Sequence, residues 1–211
     1  MYRPSPFAVD EVPVLHAFIR NRNFATIAAA RAGDVHFAYV PVMLDAHEGT
    51  RGGVRYHLAR ANKLAALQNG DRVRLSFLGP HAYVSPDWYE TPRLVPTWNY
   101  SAVEGEGSVR RLDERDLRRL LVDLSAAEEE KLRPKVPWTL DKIPEDRVAT
   151  LLRDICGFAV AFDMLAGKFK LSQDKAPADV TGVVGALEAR GDAASRALAE
   201  TMMEAFPSPP G

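Results

Sequence analysis

Gly79-Pro80-His81-Ala82-Tyr83-Val84-Ser85-Pro86-Asp87-Trp88-Tyr89, followed after a short gap by Val95-Pro96-Thr97-Trp98-Asn99-Tyr100, gathers two Trp, three Tyr and three Pro among hydroxyl and amide side chains. Aromatic faces offer area to a planar ligand, and Thr, Asn, Ser and Tyr offer directional hydrogen bonds, so the stretch reads as the lining of a small-molecule pocket. A proline-pinned loop capping a barrel reads equally well, because Trp and Tyr are also common half-buried packing residues.

Working outward, Val73 to Leu78 alternates apolar and polar residues, and Thr97 to Leu112 is long enough for a strand bending at Gly105 and Gly107. Phe24 to Ala30 and Val35 to Leu44 read as two more strands joined by the turn Ala32-Gly33-Asp34, with Pro41 marking an edge or a bulge. Phe158 to Leu171 gives a final long strand. This is the pattern of an antiparallel barrel of short strands.

Helical periodicity brackets the strands. Asp10 to about Arg22 forms a short helix with Val14, Leu15 and Phe18 on one face. From Asp113, Leu117, Leu120, Leu121 and Leu124 make a stripe, with Arg115, Asp116, Arg118, Arg119 and Asp123 largely opposite. Glu145 to Arg153 is a third helix, after a proline-containing linker, and two more flank Arg190-Gly191-Asp192, the last with Leu198, Met202 and Phe206 at i, i+4 and i+8. Val54 to Leu58 is expected to lead into a short helix ending near Gln68-Asn69-Gly70-Asp71, which places His57, Arg60 and Lys63 in its first turns, where free N–H groups favour an anion.

The 211 residues suffice for one large domain with a sizeable core, and 46% apolar with 26% charged content is ordinary for a globular protein. With 27 basic and 28 acidic residues the formal charge is −1, so no global attraction draws the chain to nucleic acid or anionic membrane. Arg110-Arg111 and Arg118-Arg119 are the close basic pairs, interspersed with Asp113, Glu114 and Asp116. DNA is a possible partner that neither charge nor motif supports. The single Cys156 sits among apolar neighbours and reads as a buried structural thiol. The histidines at 16, 36, 47, 57 and 81 have no zinc-type pairing, and no Ser/His/Asp arrangement is recognisable. A start without a signal-type apolar run and no window of membrane-span length make a cytoplasmic location the expectation.

Several sequence words, in order, resemble one family: Met1-Tyr2-Arg3-Pro4, Phe24-Ala25-Thr26, Pro41-Val42-Met43-Leu44-Asp45, His57-Leu58-Ala59-Arg60-Ala61-Asn62, Phe77 to Pro86, Val95 to Tyr100 and Lys170-Leu171-Ser172-Gln173. Together they resemble the PaiB-like FMN-binding negative transcriptional regulators, relatives of the pyridoxamine phosphate oxidase split-barrel flavoproteins. Tyr56, Lys63 and Asp174 depart from the family pattern, which has glycine, proline and asparagine there. Tyr56 is expected to crowd the phosphate approach, and Asp174 to bring negative charge near an anion site.

The resemblance implies a mainly β fold with α: a six-stranded antiparallel split β-barrel with peripheral helices over 1–175, a C-terminal helical extension over 176–206 and a disordered tail over 207–211. It implies a homodimer with FMN in a groove between subunits. Arg60, helped by His57 and Asn62, would face the phosphate, with Thr26, Pro41, Val42 and Leu44 along the flavin. Lys170, Ser172 and Gln173 would close the site from the C-terminal strand, and Trp98 and Asn99 would belong to the same pocket or the dimer seam. Three functions follow: a negative transcriptional regulator acting directly or indirectly, a flavin-dependent oxidoreductase on a small molecule, and a dimer module with a vestigial pocket.

Overall fold

A computed structural model describes residues 1–31 and 33–205. The chain begins with a two-residue strand β1 (Ala8–Val9) and helix α1 (Val12–Asn21). Strands β2 (Phe24–Arg31), β3 (Asp34–Pro41), β4 (Met43–Asp45), β5 (Gly53–Ala59), β6 (Arg72–Val84) and β7 (Thr97–Arg111) follow. Helices α2 (Glu114–Glu130) and α3 (Glu145–Arg153) precede the long β8 (Ile155–Lys170), and α4 (Pro177–Arg190) and α5 (Ala193–Ala205) end the described chain. The strand order is β3-β2-β6-β7-β8-β5-β4, with β1 pairing β8. The fold is a mainly β split barrel with peripheral helices, as expected, but with eight strands among the described residues rather than six. The difference has a local cause: Val42 sits between β3 and β4 and donates its N–H to Asn23 O (2.7 Å), splitting one expected strand in two, and β1 is a short addition.

The chain divides into two compact units. The barrel unit comprises Val12–Phe77 and Glu104–Leu165; the helical unit comprises Met1–Glu11, Leu78–Val103 and Ala166 onward. In the barrel unit, β2 and β3 pair antiparallel from Phe24↔Pro41 to Arg31↔Asp34, and β5 pairs β8 from Gly53↔Ala161 to Ala59↔Ile155. Alternation sends Ile27, Tyr56, Leu58, Val73, Leu75, Phe77 and Phe158 into the core. Tyr56 stacks on Phe158 with ring centroids 5.4 Å apart. Asp113 caps α2 by accepting from Asp116 N (2.8 Å), and Leu117, Leu120 and Leu124 form its buried stripe. Leu117 packs with Val148 and Leu152 of α3.

In the helical unit, Gly191 ends α4 in the left-handed conformation that its missing Cβ permits, φ 71°. The chain then turns back so that Val183 and Leu187 of α4 meet Leu198 and Met202 of α5 over Val84, Tyr89 and Leu171. Burying each such aliphatic side chain contributes about 1.5–3 kcal/mol. Phe206 and the tail fall outside the described residues, as does Ala32 of the expected turn.

Candidate functional site

The residues singled out from sequence fall into two groups, one in each unit. In the barrel unit, Thr26 stands across from Tyr39 and Pro41 across from Phe24, all on the outward face of the β2–β3 ladder. Val42 is buried and Leu44 pairs with Val54. His57 lies on β5 opposite Gly157, and Arg60 follows the end of that strand.

The expected helix around His57 and Arg60 is not formed. Its place is taken by β5 and a single 3-10 turn, Lys63–Ala66, capped by Asn62, whose Oδ1 accepts from Leu64 N (2.9 Å). Tyr56-His57-Leu58 alternates buried and half-buried positions, and pairing with β8 outweighs the helical propensity of the following Ala-rich segment. No helix dipole therefore serves Arg60. Its Nε donates to Arg153 O (2.6 Å) and its Nη2 to Ile155 O (3.0 Å), which fixes the guanidinium beside a cavity of about 280 Å³ that Arg153 and Glu114 also line.

Strand alternation corrects the expectation for Tyr56 as well. Its side chain is buried in the core, on the face opposite His57, and burial raises its pKa well above the usual tyrosine value. It does not crowd the outward side of β5. That side carries Arg55 and His57 two residues apart, with Arg55 Nη2 3.3 Å from Asp123 of α2. Arg55 Nε and His57 Nδ1 are buried and have no protein hydrogen-bond partner. Burial also lowers the His57 pKa, so the ring is held neutral, a form that still offers one N–H. The motif reading missed Arg55, although its i−2 spacing from His57 on a strand was the signal for it.

The helical unit holds the second group. Asn99, 1% exposed, donates from Nδ2 to Ser172 Oγ (2.8 Å), and its Oδ1 has no partner. Lys170 donates from Nζ to Thr97 Oγ1 and to Trp98 O (3.1 Å). Burial lowers the Lys170 pKa, with Asp174 acting against that shift. Ser172 takes φ 70°, a conformation uncommon outside glycine. Asn99, Lys170, Ser172 and Thr97 share the wall of a cavity of about 200 Å³ with Phe7, Tyr89, Leu94 and Val95. Asp174 lines it too, and its charge is engaged by Lys175 at 2.7 Å.

Gln173 is committed elsewhere. It accepts from Leu171 N (2.7 Å) and donates to Phe169 O, bracing the turn from within. Trp98 is half exposed, donating from Nε1 to His81 Nδ1 (3.2 Å) and meeting Tyr83 edge-on at 6.3 Å. The aromatic stretch thus divides: Tyr89, Val95, Thr97 and Asn99 line the cavity, while His81, Tyr83 and Trp98 form an outer cluster. Gly79 to Val84 is strand rather than loop.

Residues 1–163 match the sequence model of the family described as "Putative FMN-binding domain". The chain belongs to this family. Its relatives include an uncharacterized protein of Emericella nidulans, 28% identical over 243 residues and 97% of each chain. "Protease synthase and sporulation protein PAI 2" of Bacillus subtilis is 28% identical over 206 residues and 96% of each chain. Among solved structures, the FAD and heme binding protein of Mycobacterium smegmatis has a TM-score of 0.57 at 16% identity, over 82% of this chain and 78% of that one. This last likeness places the family member described here among split barrels. No helix among the described residues is long and apolar enough to cross a membrane.

Proposed function

We propose that the protein is an FMN-binding split-barrel homodimer that acts as a negative regulator of gene expression through its flavin rather than by reading DNA itself. The observation that carries the cofactor is the pair of unmatched polar atoms on β5, Arg55 Nε and His57 Nδ1, which lie within the span matched by the FMN-binding family. A buried N–H without a partner is costly, and a phosphate supplies acceptors for Arg55 Nε and for the His57 ring in the tautomer that carries its proton on Nδ1. Arg60, held by main-chain carbonyls, keeps its charge for the same anion. Thr26, Pro41 and Leu44 would bound the flavin, with Asn62 fixing the turn after β5. Bound FMN would supply the redox chemistry, and the chain's own residues would bind it and set its electrostatics.

Two features support a second subunit. Small-molecule sites typically enclose about 300–1,000 Å³. The cavity of about 280 Å³ at Arg60 falls short of that for a whole flavin. Register also aligns Phe24, Val35, Phe37 and Tyr39 on the outward β2–β3 face, and all four are about 60% exposed or more. Such a contiguous apolar face marks an interaction surface.

Regulation is carried over from the resemblance of the sequence to the PaiB-like negative transcriptional regulators; the relative in Bacillus subtilis is named for protease synthase and sporulation. An indirect route is favoured by the state of the arginines. Arg118 is bidentate with Glu145 (2.6 and 2.8 Å), Arg119 stands 3.8 Å from Asp123, and Arg110 stands 3.8 Å from Glu48. Arg111 donates to the Ala65 and Leu67 carbonyls (3.0 and 2.8 Å). None of these pairs is left as a phosphate-tracking patch.

The test is a fluorescence titration of flavin-stripped protein with FMN. Saturable quenching at one FMN per subunit, with Arg60→Ala weakening it by about tenfold or more, is expected from the loss of a charge-assisted bond worth roughly 1.5–3 kcal/mol. His57 should titrate at higher pH when FMN is bound, because a nearby anion favours the imidazolium. Absence of binding at micromolar flavin overturns the cofactor reading.

A further inference from the structure

The Lys170 cavity of the helical unit has a chemistry that flavin binding on β5 leaves unexplained. Two unmatched groups line it: the Tyr89 hydroxyl, which can both donate and accept, and Asn99 Oδ1, an acceptor in a side chain 1% exposed that finds no donor in the protein. A buried carbonyl oxygen in that state costs free energy until something donates to it. The same cavity wall carries the Lys170 ammonium, whose hydrogen bonds go to two neutral oxygens, Thr97 Oγ1 and Trp98 O. An ammonium has three N–H bonds, so one remains to be used. The other two charges on the wall, Asp174 and Lys175, satisfy each other at 2.7 Å. Lys170 is therefore the cation whose charge the lining leaves unbalanced.

The rest of the wall fixes the remaining character of an occupant. Phe7, Leu94 and Val95 present apolar surface. At about 200 Å³ the space suits a molecule smaller than a flavin. Ser172, with its hydroxyl accepting from Asn99 Nδ2 and its backbone at φ 70°, holds the amide so that the oxygen stays free. Residues kept in such sparsely populated conformations cluster at ligand sites.

We propose that this cavity binds a small hydroxycarboxylate with an apolar body, its carboxylate on Lys170 Nζ and its hydroxyl donating to Asn99 Oδ1. The site is distinct from the flavin contacts on β5 and does not depend on them. Each of the three parts of the ligand answers one feature of the wall, so each can be removed in turn.

The experiment is a calorimetric titration of the full chain with mandelate, phenylacetate and mandelamide, without FMN and with FMN at saturation. Mandelate should bind saturably. Phenylacetate, which lacks the hydroxyl, and mandelamide, which lacks the charge, should each bind about tenfold more weakly or worse. Lys170→Met should abolish mandelate binding while Lys170→Arg retains most of it. Thr97→Val, which removes the oxygen that positions the ammonium, should weaken binding without removing the cation; circular dichroism confirms that each variant is folded.

Equal affinity for mandelate and phenylacetate would overturn the role of Asn99. Mandelate binding unchanged in Lys170→Met and Thr97→Val, or no saturation by roughly 10 mM, would overturn the site. Competition between FMN and mandelate would show the cavity to belong to the flavin, which overturns the claim of a separate site while leaving the cofactor reading intact. Mandelate binding in a protein that fails to bind FMN would do the reverse.

Discussion

The Arg111 guanidinium over Phe158 and the Lys170 ammonium in the cavity with Asn99 are two cations held in different ways. At the first, Phe158 is completely buried against Tyr56, and the Arg111 guanidinium lies 5.3 Å over the Phe158 ring while donating to two carbonyls. At the second, an amide oxygen is left unmatched and an ammonium keeps a spare N–H. A group closed by its neighbours contributes to stability, and one left open inside a cavity is available to a ligand. With the proposed ligand in the cavity, stability and recognition would be vested in different stretches of this chain.

The sharpest way to break that contrast is Phe158→Ala, which should destabilise the protein by about 3–5 kcal/mol in urea unfolding, as large-to-small aromatic truncations in cores do. A loss below about 1 kcal/mol would mean that the ring is no keystone of the barrel. Arg111→Met should cost roughly 1.5–3 kcal/mol in the same assay, because it strips two carbonyls of a charged donor. At the other pole, Lys170→Met should change stability by less than about 1 kcal/mol, the scale of substitutions outside the core; a larger loss would make Lys170 a structural residue.

The smallest effect concerns pH. Burial lowers the folded pKa of His57 below its unfolded value of about 6.5, so the unfolded chain binds more protons in that window. Stability from this group is therefore complete above the unfolded pKa and declines as pH falls from about 6.5 toward the lowered folded value. His57→Asn should flatten that part of the pH–stability curve measured by urea unfolding between about pH 7.5 and 5. An unchanged curve would show that His57 is not held neutral.

Much of the barrel was legible because its periods are clean. Phe24 to Ala30, Thr97 to Leu112 and Glu145 to Arg153 carry alternation or a helical stripe strong enough to fix their ends closely. The segment around His57 misled because Leu58 to Leu67 has helix-forming composition while its pairing to Ile155–Ala161 is a long-range contact that no local window contains. Likewise, the words Lys170-Leu171-Ser172-Gln173 mark a special turn but do not reveal that Gln173 is consumed by Leu171 and Phe169 while Ser172 meets Asn99. The inward position of Tyr56 was readable from alternation with His57, had β5 been recognised.

β3 stands at the end of the strand order, with one edge unclaimed by any other strand among the described residues and with Val35, Phe37 and Tyr39 turned outward. Pro41, lacking an N–H, closes that edge at one end only. For a newly synthesised chain this makes timing matter: until its outward face is covered, the strand is a template for mispairing, and crowding by unfinished copies favours clumping over assembly. The burden then falls on chaperones and on the rate of synthesis, so expression at low temperature should yield more recoverable protein than rapid overproduction.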